Sequence, residues 1–383
     1  MEAELYFRSF FDFYCQHQID SENKIKPFKI NPYRHKLFVV KSILIMITCI
    51  WLGMYGKRFE NDFIPNRSCI NRMINWLCIG ATFATSFVVT WESLAASRED
   101  VQVWNTFNSI ENYFDFNDCE VRKQFLKSRR AYSITFYTLI TGMCAVGVIL
   151  TIEYKFRDRA LIEFILIFAI LSIVDIFRML HIALYVRILT TYLKLIMNDI
   201  SKIAVNVNVS DAYSETCNEK LQKKQLHRLS TCYLLCMKAF KQIQDQFAWG
   251  LFIVCLKYSI VLWNDIYWTV YRAIMETSFE WFCLNVVPYH FVFLSFTSTC
   301  EGLYSEVKTM SQLLYTFDLN KTATCVKVWI VQLLLLLEYK VFFFHMFGVC
   351  RISYNLVLQY MLAGATRVSF IAQILIDFYW EMK

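Results

Sequence analysis

Apolar residues fall in long runs along this chain, separated by shorter polar and basic segments. A helix crossing the hydrocarbon core of a bilayer needs about 20 largely apolar residues. Seven windows meet that length, at 37–55, 75–91, 132–152, 160–186, 247–270, 279–300 and 352–378. After the fourth window the pattern changes, and apolar positions recur every three or four residues among polar ones. Leu221, Leu226, Leu229, Tyr233, Met237 and Phe240 form one such stripe. It predicts amphipathic helices that extend beyond the bilayer and bury one face, either within the chain or between subunits. The stretch before it, VNVNVSDAYSETCNEK, reads as a flexible surface loop.

A further apolar run, VWIVQLLLLLEYKVFFF from Val328 to Phe344, precedes the seventh window. Its Glu338 and Lys340 argue for a helix packed in protein or lying at the interface over an eighth span. Only four prolines and nine glycines occur in the chain. The spans are therefore expected to be mostly continuous helices, with Pro288 the kink candidate in the sixth.

Composition fixes the class. Hydrophobic side chains make up 57% of 383 residues, charged ones 19%, and the mean hydropathy is +0.37. These values belong to an integral, all-α membrane protein. The opening MEAELYFRSFFDFYCQHQID has no short apolar core followed by a cleavage site, so the first apolar helix is expected to be retained. Roughly two thirds of the 39 Lys and Arg lie before the first window or after the second, fourth and sixth. Short basic loops stay in the cytoplasm, which places the N-terminus inside and the C-terminus outside. Asn66-Arg67-Ser68 is a glycosylation sequon on the predicted outside. Two others, at Asn208 and Asn320, fall on the predicted inside, so sequons decide little.

Catalytic chemistry finds no foothold. No HExxH, GxSxG or phosphate-cradling glycine loop occurs, and the six histidines at 17, 35, 181, 227, 290 and 345 are dispersed. Fourteen cysteines are scattered with no CxxC pair. Neither an enzyme, nor a metal site, nor a cofactor is expected. The net charge of +7 suits cytoplasmic loops facing anionic lipid, and nothing points to nucleic acid.

Charges inside the windows need partners. Asp175 and Arg178, three apart in the fourth span, are expected to pair with each other. Lys257 and Asp265 in the fifth are expected each to pair with another helix. The last helix-like run, GATRVSFIAQILIDFYW from Gly364 to Trp380, is odder, because an arginine, a glutamine and two hydroxyl residues interrupt it. Ala363, Thr366, Phe370, Gln373 and Asp377 recur at three and four residues and share one face. That face fits a hydrated path. Alternatively, Thr366 bonds its own backbone and Gln373 a neighbouring helix. Arg367, about 100° round from Thr366, is expected to turn away from that path. If it faced inward it would oppose cations.

These residues carry a resemblance to the insect gustatory receptor family, whose relatives include the odorant receptors. Its last helix has Thr-Tyr, five mostly apolar residues, then Gln-Phe. Here Thr366 and Gln373 match, with Val368 to Ala372 between them, while Arg367 replaces the Tyr and Ile374 the Phe. FFFHMFGVCRISYNLVLQ resembles the family's aromatic approach to that helix around Gly348. The stretch from Leu226 to Phe252, with its Phe-x-x-Gly-Leu entry at Phe247, and CEGLYSEVKTMSQLL are also similar.

The resemblance implies a seven-span chemoreceptor subunit over 1–383, acting in a tetramer, homomeric or with sister receptors, as a ligand-gated, cation-conducting channel of the plasma membrane of a sensing cell. Residues 1–300 would supply spans one to six, 301–351 a cytoplasmic anchor and 352–380 the pore-lining helix. Thr366, Phe370, Gln373, Ile374 and Asp377 are the pore and gate candidates. A small-molecule tastant would sit among the outer halves of the earlier spans, where Trp263, Tyr267, Trp268, Tyr289 and His290 cluster; an interfacial aromatic belt gives the same cluster. The alternatives are a metabotropic seven-helix receptor and a small-molecule transporter.

Overall fold

The computed structural model describes residues 19–20, 29–30, 36, 39–48, 50–51, 69–115, 118–154, 159–209, 215–274, 280–317, 324–339, 342–346 and 350–381. The helices are α1 (Val39–Thr48), α2 (Cys69–Ala95), α3 (Ser97–Glu111), α4 (Cys119–Tyr154), α5 (Arg159–Val209), α6 (Glu215–Gln246), α7 (Ala248–Ile274), α8 (Glu280–Tyr315), α9 (Thr324–Tyr339) and α10 (Tyr354–Glu381). Two antiparallel pairs of two-residue strands, β1 (Ile19–Asp20) with β2 (Lys29–Ile30) and β3 (His345–Met346) with β4 (Cys350–Arg351), complete the described elements.

The spans are parts of longer helices. At 1.5 Å per residue the 51 residues of α5 reach about 75 Å, more than twice the ~30 Å hydrocarbon core. The excess of α5, the start of α4 and the end of α8 project at one end of the bundle, where α3, α6 and α9 also pack. Among the described residues, Trp76–Ala95 and Ala248–Tyr267 are each long and apolar enough to cross a membrane. The most extensive packing joins α5 to α8, α2 to α7 and α3 to α6.

At the extended end, buried aromatic rings from several helices form the core. Trp104 and Phe107 of α3 meet Tyr185 and Tyr192 of α5 edge-on or tilted, at centroid distances of 5.7–6.0 Å. Their polar tips are satisfied, as buried groups require. Trp104 Nε1 donates to Tyr185 Oη at 3.1 Å, Tyr185 donates to Asp100, and Tyr192 donates to Glu111 at 2.9 Å. Burial pushes the Tyr192 phenol well above its ordinary value, keeping it a neutral donor. The stripe on α6 packs within the chain: Leu226, Leu229, Tyr233 and Phe240 are buried. That settles them as intramolecular core. α9 is likewise a packed helix, with Ile330, Leu333 and Leu337 buried and Trp329 donating to Ser230 of α6.

The loop expected over VNVNVSDAYSETCNEK is mostly helix, since α5 runs on through Val209 and α6 begins at Glu215. The polar residues there extend two amphipathic helices. Pro288 lies within the continuous α8.

The expected Asp175–Arg178 pair does not form. Asp175 pairs with Lys257 of α7, and Arg178 pairs with Glu92 of α2 at 2.5 Å. Both pairs are buried, and both tie α5 to a second helix instead of to itself. A same-helix pair would have left Lys257 and Glu92 as uncompensated buried charges, which costs several kcal/mol. Glu92 also accepts the backbone N–H of Gly250 at 2.8 Å, and Arg178 lies 4.1 Å over the Phe247 ring. A Cβ at Gly250 would overlap the Glu92 carboxylate. The glycine of the Phe-x-x-Gly-Leu entry is thus the point where backbone meets carboxylate.

Candidate functional site

The last helix is set by the segment before it. Phe342 and Phe344 are buried against Phe240 of α6, with centroids 5.0 and 4.9 Å away. Arg351 of β4 lies over two rings, Tyr304 at 4.3 Å and Phe343 at 3.4 Å, and reaches Glu301 at 3.4 Å. Ile352 N–H donates to Phe344 carbonyl at 2.9 Å, closing the turn. The hairpin is therefore fastened to α6 and α8, and α10 leaves it in a fixed direction.

α10 divides into three sectors. Leu356, Val357, Tyr360 and Gly364, buried or half-buried, form the face packed on α7 and α8, and the exposed Arg367 stands one turn beyond Gly364 along it. The approach is close: a Cβ at Gly364 would stand 2.6 Å from Ile266 Cδ1. Arg367 lies over the Trp263 ring at 3.7 Å. About a third of a turn round the helix Asn355, Gln359, Ala363, Thr366, Phe370 and Gln373 form an exposed stripe, Phe370 at 65%. Leu358 and Met361 make a third, apolar and exposed sector, and the exposed Leu362, four residues before Thr366, borders the stripe. Thr366 Oγ1 donates to Leu362 carbonyl at 2.7 Å, the backbone bond allowed for above. Ile374 and Asp377 belong to α10, but their side chains lie outside the described residues.

Among the ligand candidates, the structure joins two to new partners. His290 Nδ1 lies 2.9 Å from Tyr258 Oη, and its Nε2 is 3.6 Å from Asp265. The Tyr258 ring stacks on Phe293 at 3.7 Å and sits 6.1 Å from Tyr360 of α10. Lys257 and Asp265 thus each face another helix, α5 and α8 respectively. Trp263 Nε1–H and Asn264 Oδ1 are buried with no partner among the described residues. Tyr267 is buried. The side chains of Trp268 and Tyr289 lie outside the described residues. Sequence reasoning missed Tyr258 and Tyr360; the signal for Tyr258 was its place seven residues before Asp265, on the same face of α7.

A recess lies elsewhere, between α4, α5 and α8 near the extended end, and contains none of these candidates. Among the described residues no group of His, Cys, Asp and Glu could hold a metal ion.

Comparison with known proteins follows the same architecture. A family model described as 7tm Chemosensory receptor matches residues 11–375. The insect olfactory receptor OR5 from Machilis hrabei superposes with a TM-score of 0.67 at 10% identity, covering 97% of each chain. The same receptor in complex with eugenol gives 0.59 at 12% identity, covering 97% of this chain and 99% of that one. A search of curated proteins finds no match.

Proposed function

Because this chain belongs to the 7tm chemosensory receptor family, we propose that it is a gustatory receptor subunit forming a tastant-gated, cation-conducting channel with α10 lining the pore. The observation that carries this is the exposed polar stripe of α10. Lipid rejects the amides of Gln359 and Gln373, whereas symmetry-related copies of the stripe around an axis would enclose water. The apolar sector of Leu358 and Met361 then meets the neighbouring subunit. Four subunits, identical or shared with sister receptors, close such a ring. The extended end is cytoplasmic, the C-terminus is outside, and the anchor of α6, α8 and α9 holds the hairpin that fixes α10. The membrane is the plasma membrane of a sensing cell.

The tastant is a small molecule bound among the outer halves of the spans; the olfactory receptor of like fold forms a complex with a small molecule, eugenol. The unsatisfied Trp263 donor and Asn264 acceptor favour a ligand with a hydroxyl or carbonyl group. Trp263 and Tyr258 each touch α10, through Arg367 and Tyr360. A ligand that binds the open arrangement better shifts the gate by its affinity difference between states.

Expression in a cell with G-protein signalling blocked tests this directly. A tastant-evoked cation current, with a C-terminal epitope labelled from outside, is expected. Current that needs G protein, or an epitope reached only after permeabilisation, would return the metabotropic receptor.

A further inference from the structure

His290 of α8 is held from both ring nitrogens. Its Nδ1 lies 2.9 Å from the Tyr258 hydroxyl and its Nε2 3.6 Å from the Asp265 carboxylate, both groups on α7. Tyr258 and Asp265 are seven residues apart, two turns along one helix face, so a single imidazole bridges them. Neutral histidine has one N–H and one bare nitrogen. The carboxylate favours the proton on Nε2, which leaves Nδ1 to accept from the Tyr258 O–H. The Tyr258 ring is stacked on Phe293 at 3.7 Å and lies 6.1 Å from the ring of Tyr360, half-buried on the packing face of α10. The bridge therefore ends on the last helix.

A proton acts differently on the two ends of the bridge. Imidazolium donates from both nitrogens, so the contact with Asp265 becomes an ion pair while Nδ1 stops accepting from Tyr258. The Tyr258 hydroxyl then gives its own proton elsewhere, with its ring held in the Phe293 stack. Histidine is the side chain whose charge ordinarily changes between pH 5 and 8. The side chains of His290 and Asp265 are 17% and 13% exposed, so the bridge is not sealed from protons. The titratable groups that face the ring are Asp265 and Tyr258 of α7, with Tyr360 of α10 beyond Tyr258. Cys78 of α2 lies within electrostatic reach of Asp265 and of Lys257, which is already paired with Asp175 of α5. Among the described residues no cation and no second carboxylate pairs with the ring.

We propose that the Asp265–His290–Tyr258 bridge is a proton-operated hold on α10: acid protonates His290, reverses its bond with Tyr258 and loosens the packing of α10 around Tyr360. His290 is a positioning residue here, acting on α10 through Tyr258. The consequence for gating, an opening that depends on pH as well as on the tastant, rests on the reading of α10 as the pore helix. Asp265 stands five residues before the end of the fifth apolar window, which on the proposed orientation turns the bridge toward outside protons.

The test measures no current, so its failure is distinct from failure of the channel reading. Hydrogen–deuterium exchange of the purified full chain in detergent is followed by mass spectrometry in the α10 peptide containing Tyr360, at pD 8 and pD 5.5. Wild type and His290→Gln are compared at each pD, so that intrinsic exchange rates cancel. The ratio of wild-type to His290→Gln exchange is expected to rise about twofold or more from pD 8 to pD 5.5, with no such rise in the peptide of α9. Tyr258→Phe, which keeps the ring and removes the hydroxyl, is expected to exchange like His290→Gln at pD 5.5 relative to pD 8. A ratio that is the same at both pD values overturns the proposal. So does an equal rise in α9, which makes the effect a general loosening by acid, and so does a full rise in Tyr258→Phe. If His290→Gln does not purify, Tyr258→Phe takes its place in the ratio and the same outcomes decide.

Discussion

The guanidinium of Arg367 lies 3.7 Å from the centre of the Trp263 ring, joining the last helix to α7 one turn beyond the tight Gly364–Ile266 approach. This turns the charge toward α7, about 100° round the helix from Thr366. It also explains how arginine stands where the resembled family has tyrosine. A tyrosine here can stack on the Trp263 ring where arginine makes a cation–π contact.

Arg367→Tyr is therefore expected to keep tastant-evoked current, while Arg367→Ala and Trp263→Ala each shift the activation midpoint. Cation–π contacts contribute about 0.5–2 kcal/mol depending on desolvation. A double-mutant cycle on the midpoint should return a coupling in that range. Additive shifts would show that the contact does not bias the gate.

The two buried ion pairs make opposite predictions for single and double replacement. Asp175→Asn strands Lys257 in the bundle and should cost about 3–5 kcal/mol. Replacing both, Asp175→Leu with Lys257→Met, should recover most of it. The readout is the temperature at which the size-exclusion peak of the detergent-solubilised protein is lost.

Gly250→Ala tests the Glu92 contact. The added methyl overlaps the carboxylate that also holds Arg178, so loss of thermal stability comparable to Glu92→Gln is expected. Stability equal to wild type would mean that the carboxylate moves aside without loss.

Thiol labelling checks the packing of α6. Burial pushes the Cys236 thiol well above its ordinary value, and Cys232 is buried beside it, whereas Cys119 is exposed at the start of α4. A water-soluble maleimide should label Cys119 in the folded protein and reach Cys232 and Cys236 only after denaturation, read by mass spectrometry of the digested chain. Labelling of Cys236 at the rate of Cys119 would contradict an intramolecular α6 face.

The spans were legible because bilayer thickness imposes a length on apolar runs. The α6 stripe was legible through its period of three to four, which left open whether it packed within the chain; burial of Tyr233 and Phe240 answers that. The partners of Asp175 and Arg178 were not legible. Spacing identifies same-helix neighbours, whereas Lys257 and Glu92 are 82 and 86 residues away and come near only through the packing of α2, α5 and α7. The reach of α5 was hidden for another reason, since polar residues at its end read as loop while continuing a helix. The α10 stripe was visible in sequence as a face; its uncovered state required knowing which face meets α7. For Ile374, Asp377, Trp268 and Tyr289 the pore and pocket roles rest on sequence alone.

Everything functional above depends on the stripe of α10 facing a shared water path. Gln373→Cys, exposed during a tastant response to an impermeant, positively charged thiosulfonate, tests it most directly. A pore-lining α10 predicts rapid, lasting block of the current at Gln373→Cys and none at Val357→Cys, on the buried face of the helix. Current that continues unchanged at Gln373→Cys, with the reagent shown by mass to be attached, would put that face of the helix outside the conduction path.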